Sequence, residues 1–332
     1  MWIEAFTEAK TPDDASSNED QLLILPGRGY AVIDGVSART GHRYDGLTAG
    51  QVAARTVQQA TASFLLDPSA TALDPAELIQ RIAHAIRDAY QRHGILSLAR
   101  QEPARRFGAT LALAAEGDGF WRFILIGDSG VRLNGSELWR NDTGLDQVTA
   151  SLRQAAYRLV ANAGGTPDDQ VLVGRACVFH GAAQLHPDMR PWLDEALLQE
   201  MRAGCLTACR SRFPNVPVSD IERLLDGGIL SGQGDFQNNT ASPLSYAVLD
   251  GFETPMALVQ VIDREHTTVS SIELFTDGYF AMAETPSIKA WEASFREVER
   301  SDPDKIDRYP SPKGSTASGY ADDRTVIVIH RQ

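Results

Sequence analysis

The sequence predicts an α+β protein rather than a regular alternation of strand and helix. Strand-like and helix-like segments come in blocks, β-β-α-α-β-β and then β-β-β-α-β. The strand-like pieces are short, apolar and divided by Gly-rich turns, which is how antiparallel neighbours are joined. Two strong helical patterns follow one another early in the chain. Sheets flanked by helices are the natural packing for such a set.

Residues 1–20 are polar and include the turn-rich run KTPDDASSNED. QLLIL and GYAVID then read as two strands joined by the turn PGRG. In LTAGQVAARTVQQATASFLL, Val52, Val57, Ala60 and Phe64 share one side, and Thr48 is a candidate N-cap. DPAELIQRIAHAIRDAYQRHG repeats Leu78, Ile82 and Ile86 at helical spacing, and Gly94 supplies a stop. FGATLALAA, GFWRFILIGD and GVRLNG are strand-like. Residues 145–210 read as mostly helical, and the Gly- and Asn-rich stretch that follows reads as an excursion with one short helix. Strand signals return at LSYAVLDG, PMALVQVID and VSSIELFTDG. The helix SIKAWEASFREVER, a polar loop and the strand RTVIVIH follow.

Composition excludes several classes. The net charge of −13 and the lack of a long Lys/Arg run argue against a nucleic-acid partner. No apolar run approaches the ~18 residues of a membrane span, and the first residues lack a secretory pattern, so no membrane partner and a cytoplasmic location are expected. Cys177, Cys205 and Cys209 show no zinc-like spacing and read as inert, part-buried thiols.

Aspartates stand where strands end. Asp34 closes GYAVID, Asp128 closes FILIGD and Asp277 closes IELFTD, while Asp20 precedes QLLIL and the pair Asp322 and Asp323 precedes RTVIVI. One such residue reads as a turn, and the chain has six Asp-Gly pairs. Several gathered along one sheet edge would raise one another's pKa values unless a cation sat among them. An all-oxygen set without His or Cys favours Mg²⁺ or Mn²⁺ over zinc. Gly35 and Gly278, after Asp34 and Asp277, would permit a sharp turn and leave room beside an ion.

The ordered set NED (18–20), AVIDG (31–35), ATLALAA (109–115), GDS (127–129), ELFTDG (273–278) and DDRTVIVI (322–329) resembles the metal-dependent protein phosphatases of the 2C type, in their bacterial style. The match runs along essentially the whole chain and is weakest over residues 135–240. The resemblance implies a four-layer α-β-β-α sandwich with two facing antiparallel sheets. It implies one phosphatase domain over residues 1–332, with a helical and flap excursion at about 145–243. Asp34 would bridge two Mn²⁺ or Mg²⁺ ions, with the Gly35 carbonyl on the second, and Asp277 and Asp322 would complete the first ion's shell. Asp20 would hold water nearby, and Asp128 with Asp277 would offer a third, weaker ion site. Asp323 stands where many members carry Asn and would support the site by hydrogen bonding. Asp34, Asp277 and Asp322 are thus the catalytic set. The implied reaction is hydrolysis of phosphoserine or phosphothreonine in a protein substrate of a cognate kinase, by water activated between the cations.

The chain departs from that pattern in places. The arginine that grips phosphate, five residues before the aspartate matching Asp20, is Ala15 here; Lys10, Arg39 and Arg43 are the nearest basic residues. GDSR is GDSG, with Gly130. Val36 stands where animal members carry a histidine, and His42 reads as a surface residue. Asp250 also ends a strand-like run, but no ligand is expected there. Two other readings stay open: a phosphatase-fold regulatory binding protein of weak or no activity, and an unrelated α+β protein with turn aspartates.

Overall fold

A computed structural model of the protein describes residues 1–37, 41–69, 73–189 and 191–331. These fall into two compact units, one of residues 1–141, 247–300 and 317–332 and the other of residues 142–246 and 301–316.

The first unit contains strands β1 (Trp2–Glu8), β2 (Gln21–Leu25), β3 (Gly29–Ile33), β4 (Leu111–Glu116), β5 (Phe120–Ile126), β6 (Gly130–Leu133), β7 (Glu137–Arg140), β8 (Gln260–Glu265), β9 (Ser271–Phe275) and β10 (Arg324–His330). Its helices are α1 (Ala49–Leu66), α2 (Pro75–Arg92), α3 (Leu96–Gln101) and α8 (Ile288–Ser301). The strands form two five-stranded sheets, ordered β1-β10-β9-β6-β7 and β2-β3-β4-β5-β8, and every pairing is antiparallel.

Alternation of side chains along each strand builds the four layers. Ala31, Ile33, Leu111, Leu113, Ile124 and Ile126 face α1 and α2. Their sequence neighbours Tyr30, Val32, Ala112, Ala114 and Phe123 face the other way, onto Val131, Leu133, Ile272, Leu274, Ile327 and Ile329 of the second sheet. That sheet's outer face, through Phe275, Val326 and Val328, packs on Trp291 and Phe295 of α8. The expected α-β-β-α sandwich is therefore present. The α2 stripe explains why that helix docks. Leu78, Ile82 and Ile86 are fully buried, each contributing about 1.5–3 kcal/mol. Thr48 caps α1 in a complete capping box with Gln51, and Gly94 after α2 has φ +68°.

Two local expectations fail. Trp2–Glu8 form a strand within the polar, turn-rich stretch: Glu4, Phe6 and Glu8 are part-buried between exposed Ala5 and Thr7, and β10 supplies a partner from Trp2↔His330 to Glu8↔Arg324. LSYAVLDG is not a strand: in this unit Leu249 makes one isolated bridge to Ala109. In the following segment Met256–Leu258 form a 3₁₀ turn before β8.

The second unit holds α4 (Leu145–Asn162), α5 (Pro167–His180), α6 (Glu195–Arg212) and α7 (Val218–Gly227). Val148, Leu152, Val173, Leu198, Ile221 and Leu224 lie in its core. All three cysteines are free and buried there, and burial pushes the Cys177 thiol up to about 12. They are inert packing residues. The loop at 301–316 is fastened by Arg153, whose Nη1 donates to the carbonyls of Asp304 (2.7 Å) and Ser311 (3.2 Å).

Candidate metal centre

Strand direction decides where the aspartates go. β2 and β3 pair with Gln21 opposite Ile33, so Asp20 and Asp34 emerge at the same end of their sheet. β4 and β5 pair with Leu111 opposite Ile126, which brings Asp128 to that end as well. In the facing sheet Val326 lies opposite Phe275 and Gly130 also pairs with Phe275. Asp277, Asp322, Asp323 and Asp128 therefore flank the matching end of that sheet. The sequence-predicted aspartates share one end of the sandwich.

Their electrostatics follow from that grouping. Asp34 is raised well above the ordinary carboxylate range, first by burial and then by the charges of Asp277, Asp20, Asp322 and Asp128. Asp20 is raised to about 7 by burial and by Asp323, against hydrogen bonding from Thr276 and Thr325. Burial raises Asp323 too, opposed by the Lys10 charge and by backbone N–H groups.

Hydrogen bonds fix some of these carboxylates. Thr276 Oγ1 donates to Asp20 Oδ2 at 2.8 Å. Asp323 accepts the backbone N–H of Lys10 at Oδ1 (2.6 Å) and that of Glu19 at Oδ2 (3.0 Å), the supporting position expected of it. Thr110 and Ser129 share a hydroxyl hydrogen bond of 2.8 Å between β4 and the turn after Asp128. Asp20 Oδ1 and Asp128 Oδ1 are buried and have no hydrogen-bond partner among the described residues.

Sequence reasoning missed Glu19, the middle residue of NED. It is 4% exposed, and its carboxylate accepts from Thr48 Oγ1 (2.5 Å), Ser37 Oγ (2.5 Å) and Lys10 Nζ (3.1 Å). Its place beside Asp20 in the motif was the available signal.

The two glycines serve close approach. A Cβ on Gly278 would lie 2.0 Å from the Asp323 carbonyl oxygen, and one on Gly35 would lie 2.5 Å from the Gly50 oxygen. The room at these glycines is taken by backbone, and neither has positive φ. Gly130 is likewise a packing requirement, since its Cβ would meet the Phe275 ring at 2.4 Å. Arg140, opposite Gly130 on β7, donates to the Asp128 carbonyl at 2.9 Å. Ala15 is exposed and lines a cavity of about 450 Å³ with Asn18, Asp20, Arg43 and Arg55. His42 is exposed; Arg39 lies outside the described residues. Asp250 is paired elsewhere, with Arg106 at 3.0 Å.

The donor set suits a hard divalent cation: carboxylates alone, two with buried unpartnered oxygens, in a cluster whose charges oppose one another. Among the described residues no three His, Cys, Asp or Glu side chains are grouped closely enough to hold a cation unaided. The carboxylates are gathered at one end without forming a closed cage.

A family model described as Protein phosphatase 2C matches residues 13–151. That span is under half of the chain and contains Asp20, Asp34 and Asp128; Asp277 and Asp322 lie beyond it. The resemblance read from the motifs and the family model agree over this segment. A search of curated proteins gives no match. Solved structures similar to the chain include the serine/threonine phosphatase PstP/Ppp of Mycobacterium tuberculosis, at 18% identity over 98% of this chain and 97% of that one, with a TM-score of 0.41. Serine/threonine phosphatase Stp1 of Staphylococcus aureus aligns at 12% identity over 99% and 94%, with a TM-score of 0.46. The catalytic domain of PstP in complex with two manganese ions aligns at 16% over 98% and 96%, with a TM-score of 0.43. At these identities and scores the fold rests on strand order and register themselves. Among the described residues no helix is long and apolar enough to cross a membrane.

Proposed function

We propose that the chain is a divalent-metal-dependent serine/threonine protein phosphatase of the 2C type. The observation that carries this reading is the convergence of Asp20, Asp34, Asp128, Asp277 and Asp322 at one end of two facing sheets, where four carboxylate charges act on Asp34.

In this reading Asp34, Asp277 and Asp322, with the Gly35 carbonyl, would hold two Mn²⁺ or Mg²⁺ ions, and Asp128 would serve a third. Bound there, the cations would supply Lewis acidity and a nucleophilic water for in-line displacement at phosphorus. The chain's own residues do the positioning. Asp323 ties the backbone of residues 10 and 19 to the loop before β10, and Thr276 holds Asp20 toward the cluster. Asp20, fixed by the Thr276 hydroxyl, would hold water beside the cations. No covalent phosphoenzyme is required, which agrees with the burial of all three cysteines. The substrate would be a phosphoserine or phosphothreonine protein supplied by a cognate kinase, in the cytoplasm.

Hydrolysis of p-nitrophenyl phosphate and of a phosphothreonine peptide tests this. Turnover should require added Mn²⁺ or Mg²⁺ and vanish in Asp34→Asn. Full activity in excess EDTA would sink the metal mechanism. A second reading, a phosphatase-fold regulatory protein, is favoured by Ala15; Mn²⁺ binding without turnover of any phosphopeptide would select it.

A further inference from the structure

We propose that Lys10 grips the substrate phosphate, in place of the arginine whose position is occupied by Ala15; this rests on the phosphatase reading above. Lys10 follows β1, and its backbone is pinned on both sides. Its N–H donates to Asp323 Oδ1 at 2.6 Å, and its carbonyl accepts from the Tyr320 N–H at 2.7 Å. The root of the side chain is thus fixed beside the loop that carries Asp322 and Asp323.

From that root the ammonium reaches the acidic cluster. Nζ lies 3.1 Å from Glu19 Oε2 and 3.1 Å from Ser37 Oγ, three residues after Asp34. It is 3.8 Å from Asp322 Oδ1 and 3.6 Å from Asp323 Oδ2. The lysine side chain is 29% exposed, whereas those of Glu19, Asp322 and Asp323 are 5%, 10% and 3% exposed. A positive charge therefore covers buried negative ones on the solvent side. A phosphoryl dianion approaching the carboxylates is repelled by them and attracted by this ammonium, which binds phosphate as a compact, mobile point charge. Of the two arginines that line the Ala15 cavity, Arg43 is exposed with its guanidinium held to the Gly46 carbonyl at 2.9 Å, and Arg55 is an exposed residue of α1.

The probe is inorganic phosphate, titrated calorimetrically into Mg²⁺-loaded wild-type protein, Lys10→Met, Lys10→Arg and Arg43→Met. Mg²⁺ is titrated separately into each metal-free protein. Loss of a charge-assisted contact in Lys10→Met should weaken phosphate binding about ten- to hundredfold, with Mg²⁺ affinity unchanged or raised by the lost positive charge beside Asp322 and most of the phosphate loss recovered in Lys10→Arg. Lys10→Gln, which keeps a donor toward Glu19, should show the same loss if Lys10→Met does not fold. Unaltered phosphate affinity in the uncharged variants overturns the proposal, as does a loss confined to Arg43→Met. Tighter Mg²⁺ binding with phosphate affinity unchanged would overturn it by making Lys10 a counter-ion that competes with the metal. Phosphate bound through Lys10 without turnover of p-nitrophenyl phosphate keeps the inference and removes the phosphatase reading. Turnover with phosphate affinity indifferent to Lys10 does the reverse.

Discussion

The hydroxyl of Thr276 donates to Asp20 Oδ2 at 2.8 Å and its oxygen accepts the Thr325 N–H at 2.9 Å. Thr276 follows β9 in one sheet and Asp20 precedes β2 in the other, so a single side chain joins the two sheets at the acidic end. Thr276→Val removes a hydrogen bond to a buried carboxylate and should cost about 1.5–3 kcal/mol in urea denaturation. Thr276→Ser should recover most of it.

Asp34→Asn should separate stability from function. Among Asp20, Asp128, Asp277 and Asp322 the Asp34 charge is opposed by four others, so the amide should raise the melting temperature of the metal-free protein. On the phosphatase reading, the same change should lower metal-dependent turnover to below about 1% of wild type, since a carboxylate that would hold both cations is lost. A melting temperature that falls in EDTA would contradict this account of the cluster.

Asp20 sets a pH dependence. Its carboxyl moves from an ordinary 3.8 to about 7 in the folded chain. A raised acid binds its proton more tightly when folded, so the stability it contributes is complete below 3.8 and is lost as pH rises through 7. In EDTA the folded state should weaken between about pH 4 and pH 7, by up to about 1.4 kcal/mol per pH unit for one such group, and change little above that. Asp20→Asn should flatten the slope, and saturating Mn²⁺ should remove it. Melting curves at stepped pH read all three.

Gly278→Ala should be destabilising although its backbone conformation suits any residue. The added Cβ would press on the Asp323 carbonyl, an overpacking cost of about 1–3 kcal/mol. Because the pressure falls on the loop holding Asp322, metal affinity measured by calorimetry should fall with it.

Glu273, inside the ELFTDG motif, is fully buried and binds Arg132 Nε at 2.8 Å and the Trp291 indole N–H at 2.8 Å. Glu273→Gln leaves the Arg132 guanidinium in the core without its counter-charge, a loss of about 3–5 kcal/mol. Chemical denaturation should show it, with the midpoint displaced well beyond that of any surface variant.

What the sequence disclosed was chiefly periodic. Leu78, Ile82 and Ile86 repeat at helical spacing, and the strand-end aspartates stand out because each follows or precedes an apolar run. What it concealed depends on partners far along the chain. β1 has a half-exposed pattern and becomes a strand through β10. Glu19 takes its importance from Thr48, Ser37 and Lys10, at three separate places in the chain. Lys10 was visible as a basic residue, but its position over Asp322 and Asp323 follows from backbone bonds across more than three hundred residues. LSYAVLDG has strand composition, yet in the first unit Leu249 makes one isolated bridge.

The bonds from Asp323 to the backbone of Lys10 and Glu19 join positions 313 and 304 residues apart. During synthesis, a ribosome must translate nearly the whole described sequence before the carboxylate that fastens these segments exists. Shorter nascent chains carry Asp20 and Asp34 without Asp322 or Asp323, so a cation met early finds only part of the acidic cluster.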